Sequence, residues 1–200
     1  MAKSGQPASP RPTTEILAVS GSLRRESINS AVLRAAARAA APDGIRVAIA
    51  DDVRKLPLFD PDLETEPLGS VLRFRNACEE AAGVLLAVPE YTFGIPGAFK
   101  NALDWLVRSG SLYRKPVTVL KASPPGRGAH VRETLALALM AHGADVVHRS
   151  VPVSGRDLDA RGEVSDPGIV AELGKVVVEL AQRARRSADT WPALRHAWHK

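Results

Sequence analysis

The chain reads as a doubly wound α/β domain, a parallel sheet of five strands covered by helices on both sides. Three observations predict this. Five short apolar runs recur along the chain, helical stretches of about 10–20 residues separate them, and glycine or proline closes most elements. The 200 residues are 45% hydrophobic and 24% charged, which suits a single globular domain with short flanks. The expected division is a lead over residues 1–14, a ligand-binding domain over 15–186 and a tail over 187–200.

The lead carries proline, serine and basic residues but no apolar stretch, so it reads as a disordered lead-in and not as a signal peptide. Residues 16–20 (ILAVS) are a compact apolar run ending at Gly21, the mark of a buried strand. Residues 29–41 are rich in Ala and Arg and stop at Pro42-Asp43-Gly44, which predicts a helix. Residues 45–50 form the second strand. Pro57, Pro61 and Pro67 make residues 51–66 a loop with little regular structure.

Residues 68–82 place Val71, Leu72, Ala77, Cys78 and Ala81 at helical spacing before Gly83. Residues 84–88 are continuously apolar, as a strand buried on both faces must be. Pro96-Gly97 opens a helix expected to reach Val107. Residues 116–122 give the fourth strand, 130–141 a helix that stops at Gly143, and 145–153 the fifth strand. A polar loop over 154–165 leads to the last helix, 167–186. Right-handed crossovers restrict this alternation to a few doubly wound topologies.

Composition excludes several function classes. Cys78 is the single cysteine, so the chain has neither an internal disulfide nor its own thiolate metal cluster, and a reducing cytoplasm is the simplest compartment. No apolar run approaches the roughly 20 residues that cross a bilayer. The net charge of +5 favours anionic ligands, but the basic residues are scattered and aromatics are 4% of the chain. Nucleic acid is therefore not an expected partner. His130, His142 and His148 have no serine or cysteine at a triad spacing, so no protein nucleophile and no metal site is expected.

In open parallel sheets, ligands bind outside the carboxyl ends of the strands. Three loops fall there. The first, residues 21–29 (GSLRRESIN), leaves a buried strand and enters a helix. Its hydroxyls, amide and guanidiniums beside a helix N-terminus match a phosphate. The spacing fits neither a Walker loop nor the dinucleotide fingerprint, and no Lys-Ser/Thr pair is present to hold Mg²⁺. Ser27 or Asn29 capping the helix would explain part of the loop equally well. The second loop, residues 89–97 (PEYTFGIPG), is a shaped turn whose amides suit the edge of a flat heterocycle; Tyr91 and Phe93 could also pack it onto the sheet. The third, residues 123–128 (SPPGRG), lets backbone approach a ligand closely, or makes an ordinary turn.

Together, GSLRRESIN at 21–29 and PEYTFGIPGAFKNALDWL at 89–106 resemble the NADPH-dependent FMN reductase family, with weaker echoes at Lys115-Pro116 and residues 123–128. The resemblance runs over residues 15–185. It implies a flavodoxin-like three-layer αβα sandwich with strand order 2-1-3-4-5. It also implies an enzyme that passes electrons from NADPH, or NADH, through FMN to a small acceptor: a quinone, azo compound, chromate or free flavin. By resemblance, Ser22, Arg24, Ser27, Ile28 and Asn29 hold the FMN phosphate, and Pro89, Glu90, Tyr91, Thr92, Phe93 and Gly94 line the isoalloxazine. Ser123 and Gly126 close over it. Of the cations near the expected pocket, Arg24, Arg25 and Arg127, the last is the candidate for the 2′-phosphate of NADPH. Lys100, Asn101 and Asp104 match positions that are structural or at a subunit interface, and the family implies a homodimer or homotetramer.

Thr92 departs from the family, which usually has Asn after Pro-Glu-Tyr. The Pro-Pro-Gly-Arg form of the third loop departs too. Two other readings stay open at this level. A flavodoxin-type electron carrier would lack its own NADPH turnover, although carriers of that kind often dock through an acidic face and this chain is basic. A protein that kept the fold and lost the flavin would be an oligomeric scaffold or a regulator.

Overall fold

A computed structural model describes residues 14–50, 52–123 and 128–190. The strands β1 (Thr14–Ser20), β2 (Ile45–Ile49), β3 (Gly83–Ala87), β4 (Pro116–Lys121) and β5 (Asp145–Ser150) form one parallel sheet in the order β2-β1-β3-β4-β5. The helices are α1 (Ile28–Ala40), α2 (Gly69–Glu80), α3 (Gly97–Asp104), α4 (Ala129–Ala141) and α5 (Pro167–Thr190). The expected elements and strand order are all present.

Strand alternation sorts the core into two layers. Ile16, Ala18, Leu85, Ala87 and Leu120 pack against α1 and α5 on one face. Leu17, Val19, Val84, Leu86, Val117 and Val119 pack against α2, α3 and α4 on the other. Both faces of β3 are therefore buried, which is why its sequence never alternates. Cys78 of α2 lies in the second layer, 1% exposed, and burial pushes its thiol up to about 12; it is a packing residue with little thiolate character.

Several boundaries differ from the sequence reading. Thr14, counted with the lead, is the first residue of β1, and residues 187–190, counted with the tail, continue α5. The rest of the tail, with Trp191 and Trp198, lies outside the described residues. β5 ends at Ser150 and not at Val153, because β4 ends at Lys121; single bonds from Val151 N–H to Lys121 C=O and from Val153 N–H to Ala122 C=O follow instead. α3 stops at Asp104 and not at Val107. Beyond it the chain tightens into i→i−3 bonds from Leu106 to Leu103 and from Val107 to Asp104. The proline-rich loop after β2 contains two short 3₁₀ turns, Asp52–Lys55 and Pro61–Leu63.

That loop is fastened to α3. Asn101 accepts the N–H of Phe59 through Oδ1 at 2.7 Å and donates through Nδ2 to the carbonyl of Pro57 at 2.8 Å. Trp105, fully buried, donates its indole N–H to the same carbonyl at 2.9 Å. Lys100 and Asp104 pair along the exposed face of α3 at 2.6 Å. Asn101 thus fastens the loop, one of the two roles the resemblance implied for it, while Lys100 and Asp104 stand on an exposed face.

Candidate functional site

The strand order reverses between β1 and β3, and the loops leaving those two strands start side by side there. Gly21 carries the first loop past the second. Its N–H donates to Ala87 C=O at 2.9 Å, and a Cβ at this position would lie 2.7 Å from Val88 Cγ1. Only glycine leaves room for so close a strand-end approach.

The first loop is built from its own hydroxyls. Ser20 Oγ accepts from Ser22 N–H at 3.2 Å and from Ser30 Oγ at 3.0 Å, and Ser22 Oγ accepts from Arg24 N–H at 3.2 Å. Arg54, from the 3₁₀ turn after β2, donates to the carbonyl of Leu23 and ties the loop down from outside. Ser27 stands at the N-cap of α1 but makes no side-chain cap bond, and α1 has no acidic residue in its first turn. The capping explanation for Ser27 is therefore not realised. The first-turn amides and the partial positive charge of α1 are left for an external acceptor. Arg24 and Arg25 are exposed beside them.

The second loop closes as a two-residue turn. Tyr91 and Gly94 exchange backbone bonds of 3.1 and 3.0 Å, and the central residues have positive φ, 50° at Thr92 and 59° at Phe93. This is the geometry of a primed turn, which favours Asn and Gly. Tyr91 is 50% and Phe93 73% exposed, so neither packs the loop onto the sheet. Pro89 and Glu90 are half-buried. Glu90 Oε2 accepts the N–H of Val131 at 3.0 Å, so this carboxylate joins the second loop to the first turn of α4. The ring of Phe93 meets His130 of α4 edge to face at 5.0 Å between centroids.

Thr92 works against the demand of this turn: a β-branched residue at φ 50° is strained by about 1–2 kcal/mol. Thr92→Asn is expected to stabilise the protein by up to about 1 kcal/mol, read as a higher urea midpoint. A lower midpoint would show that the threonine side chain contributes more than its backbone costs.

A cavity of about 770 Å³ opens at the carboxyl ends of β3, β4 and β5 and reaches the N-terminus of α1. Ile28, Asn29, Pro89, Glu90 and Ser123 line it. Ser22, Arg24, Ser27 and residues 91–94 belong to the two adjoining loops but not to its wall. Gly126 and Arg127 lie outside the described residues. The sequence reading missed Arg54, His130, Lys121, Arg132 and His148, the last three of which line the cavity. No local motif marks them, because they reach the site from four separate elements. A second cavity of about 580 Å³, at Tyr113 and His142, opens at the amino end of β4, away from all three loops.

Comparison with known proteins places this geometry among related chains. A family model described as NADPH-dependent FMN reductase matches residues 14–157. The chain is 33% identical over 162 residues to the NAD(P)H-dependent FMN reductase PA1204 of Pseudomonas aeruginosa, covering 76% of this chain and 85% of that protein. It is 30% identical over 192 residues to probable NADPH:quinone oxidoreductase 2 of Oryza sativa subsp. japonica, covering 91% and 94%. Among solved structures, FerB, a flavoenzyme NAD(P)H:(acceptor) oxidoreductase from Paracoccus denitrificans, superposes with a TM-score of 0.73 at 27% identity, covering 88% of this chain and 99% of that one.

Proposed function

Because the chain belongs to the NADPH-dependent FMN reductase family, we propose that it binds FMN between the loops after β1 and β3. There it passes electrons from NADPH, or NADH, to a small acceptor such as a quinone, azo compound, chromate or free flavin. One observation carries this reading: the N-terminus of α1, closed by neither a side-chain cap nor an acidic residue, adjoins a 770 Å³ cavity and a loop of hydroxyls and guanidiniums. That chemistry fits a phosphate dianion. FMN supplies the hydride chemistry when bound.

The protein's part is to hold and shape. Arg24 and the first-turn amides of α1 take the phosphate, with Ser22, Ser27 and Asn29 beside them. The 91–94 turn presents its backbone edge, and Glu90 keeps that turn fixed to α4. Tyr91 and Phe93, both exposed, leave an open apolar face on which nicotinamide and acceptor bind in turn. No side-chain nucleophile takes part.

Named relatives that are oxidoreductases favour this reading over an electron carrier. The acceptor class, a homodimer or homotetramer, and a cytoplasmic location belong to the same proposal. Exposed Leu58 and Val107 support an assembly, and the single buried thiol supports the compartment. No helix among the described residues is long and apolar enough to cross a membrane.

The test is spectroscopic. Protein loaded with FMN should be yellow, bleach with NADPH under argon, and turn over NADPH steadily against a panel of acceptors. A colourless protein that takes up no added FMN overturns the proposal, and bleaching without turnover favours the carrier. Arg24→Ala should weaken FMN binding by about 10-fold or more, the worth of one charge-assisted phosphate contact. Unchanged affinity in a fluorescence titration removes Arg24 from the site.

A further inference from the structure

Resting on that reading, we infer that Lys121 and Arg132 form the subsite for the 2′-phosphate of NADPH, at the β4–β5 side of the carboxyl-end cavity, and set the preference for NADPH over NADH. Alternation along the strands places them. Val117 and Val119 of β4 pack toward α4, so Lys121, two residues on, points the same way. His148 of β5 pairs in register with Val119. Arg149, the next residue, points to the opposite layer, where its Nε meets Glu179 of α5 at 2.7 Å.

The lysine stem runs beneath the start of α4. Gly128, in the left-handed region at φ 80°, would place a Cβ 3.6 Å from Lys121 Cε. Arg132 lies in the first turn of α4. Burial, and then the neighbouring Arg132 charge, hold the His148 imidazole below its usual range, which puts the guanidinium near that ring. Lys121, Arg132 and His148 line one cavity with Asn29 and Pro89.

The charge balance of this end is the decisive feature. Among the described residues, neither the ammonium of Lys121 nor the guanidinium of Arg132 makes a hydrogen bond or ion pair, whereas Arg34, Arg38, Arg73, Arg149 and Arg183 all meet carboxylates. Glu90 is the one carboxylate lining the cavity among the described residues, and its Oε2 is already held by Val131 N–H. Two cations without counter-charge in a concave site call for a dianion. A phosphate on an elongated ligand suits it, because the cavity runs on from there to Asn29 and Pro89. Its volume, about 770 Å³, lies within the range of small-molecule sites. Arg127, the candidate from sequence, lies outside the described residues.

Calorimetry on the FMN-loaded protein tests this with 2′,5′-ADP, 5′-AMP and inorganic phosphate as probes. 2′,5′-ADP is expected to bind about 10-fold or more tighter than 5′-AMP, since its extra phosphate gains at least one charge-assisted contact. Lys121→Gln and Arg132→Gln should each remove most of that difference. Arg73→Gln, on α2 with its guanidinium on Asp52, should leave it intact, and FMN affinity should not move. In steady state, both variants should raise KM for NADPH and leave NADH unchanged. Equal affinity for the two nucleotides, parallel losses for both in the variants, or phosphate binding as tightly as 2′,5′-ADP would each overturn the subsite. Absence of FMN uptake is read separately, by absorbance before the titration, and bears on the function proposal alone.

Discussion

A chain carrying Gly21→Val is expected to lose most of its FMN affinity. Gly21 is buried where the ends of β1 and β3 come closest, with its N–H on Ala87 C=O at 2.9 Å. A Cβ there meets Val88 Cγ1 at 2.7 Å and Val88 Cα at 3.1 Å. The methyl could turn aside, but the Cα belongs to the backbone, so the strand ends must part. Overpacking of this kind costs about 1–3 kcal/mol, and here it falls at the root of the phosphate loop. The loop hydroxyls and the first turn of α1 would shift together, because Ser20 Oγ joins Ser22 to Ser30. FMN binding should weaken by roughly 10- to 100-fold, with a smaller loss for Gly21→Ala. Titration of both variants against the parent, with thermal melts alongside, checks this; parental affinity in Gly21→Val would refute it.

Trp105→Ala should be the most destabilising single change. The indole is fully buried, its N–H is on Pro57 C=O at 2.9 Å, Phe59 packs edge-on at 5.1 Å, and the Arg75 guanidinium lies 5.6 Å from the ring centroid. Arg75 depends on this neighbourhood. Its Nε donates to Trp105 C=O at 2.8 Å, and its buried NH2 atom, without a hydrogen-bond partner among the described residues, lies 3.6 Å from Glu64 Oε1. Truncating a buried Trp costs about 3–5 kcal/mol, which lowers Tm by roughly 6–20 °C in a domain of this size. Trp105→Phe keeps most of the packing and loses the N–H bond, about 1 kcal/mol. Asn101 Nδ2 still serves the Pro57 carbonyl. Urea unfolding gives both values, and a loss below 1 kcal/mol for Trp105→Ala would mean the 57–59 segment is not held by this ring.

Most of the fold was legible along the chain because burial on both faces leaves a local trace. Continuous apolar runs such as residues 84–88 can be strands only if helices cover them, and the glycines and prolines after each run mark where the chain must turn. The misjudged ends share one cause. Val107 and Val153 carry the right side chains for their elements, but a strand ends where its neighbour ends and a helix ends where its bonds tighten, and neither is local information.

At the site, the sequence by itself pointed to the one loop whose residue types suit a phosphate and, through GSLRRESIN and PEYTFGIPG, to the family they resemble. It left Ser27 undecided between cap and ligand, and Thr92 between amide contact and backbone. The tertiary structure added their conformation and contacts: an unmade cap bond at Ser27, a left-handed backbone at Thr92, a Glu90 carboxylate held by α4. It alone brought Arg54 to Leu23 across 31 residues, and Lys121, Arg132 and His148 into one cavity wall. Side-chain periodicity is written over a few residues, whereas the meeting of charges from β4, α4 and β5 depends on strand pairing and helix docking, which no short stretch of sequence encodes.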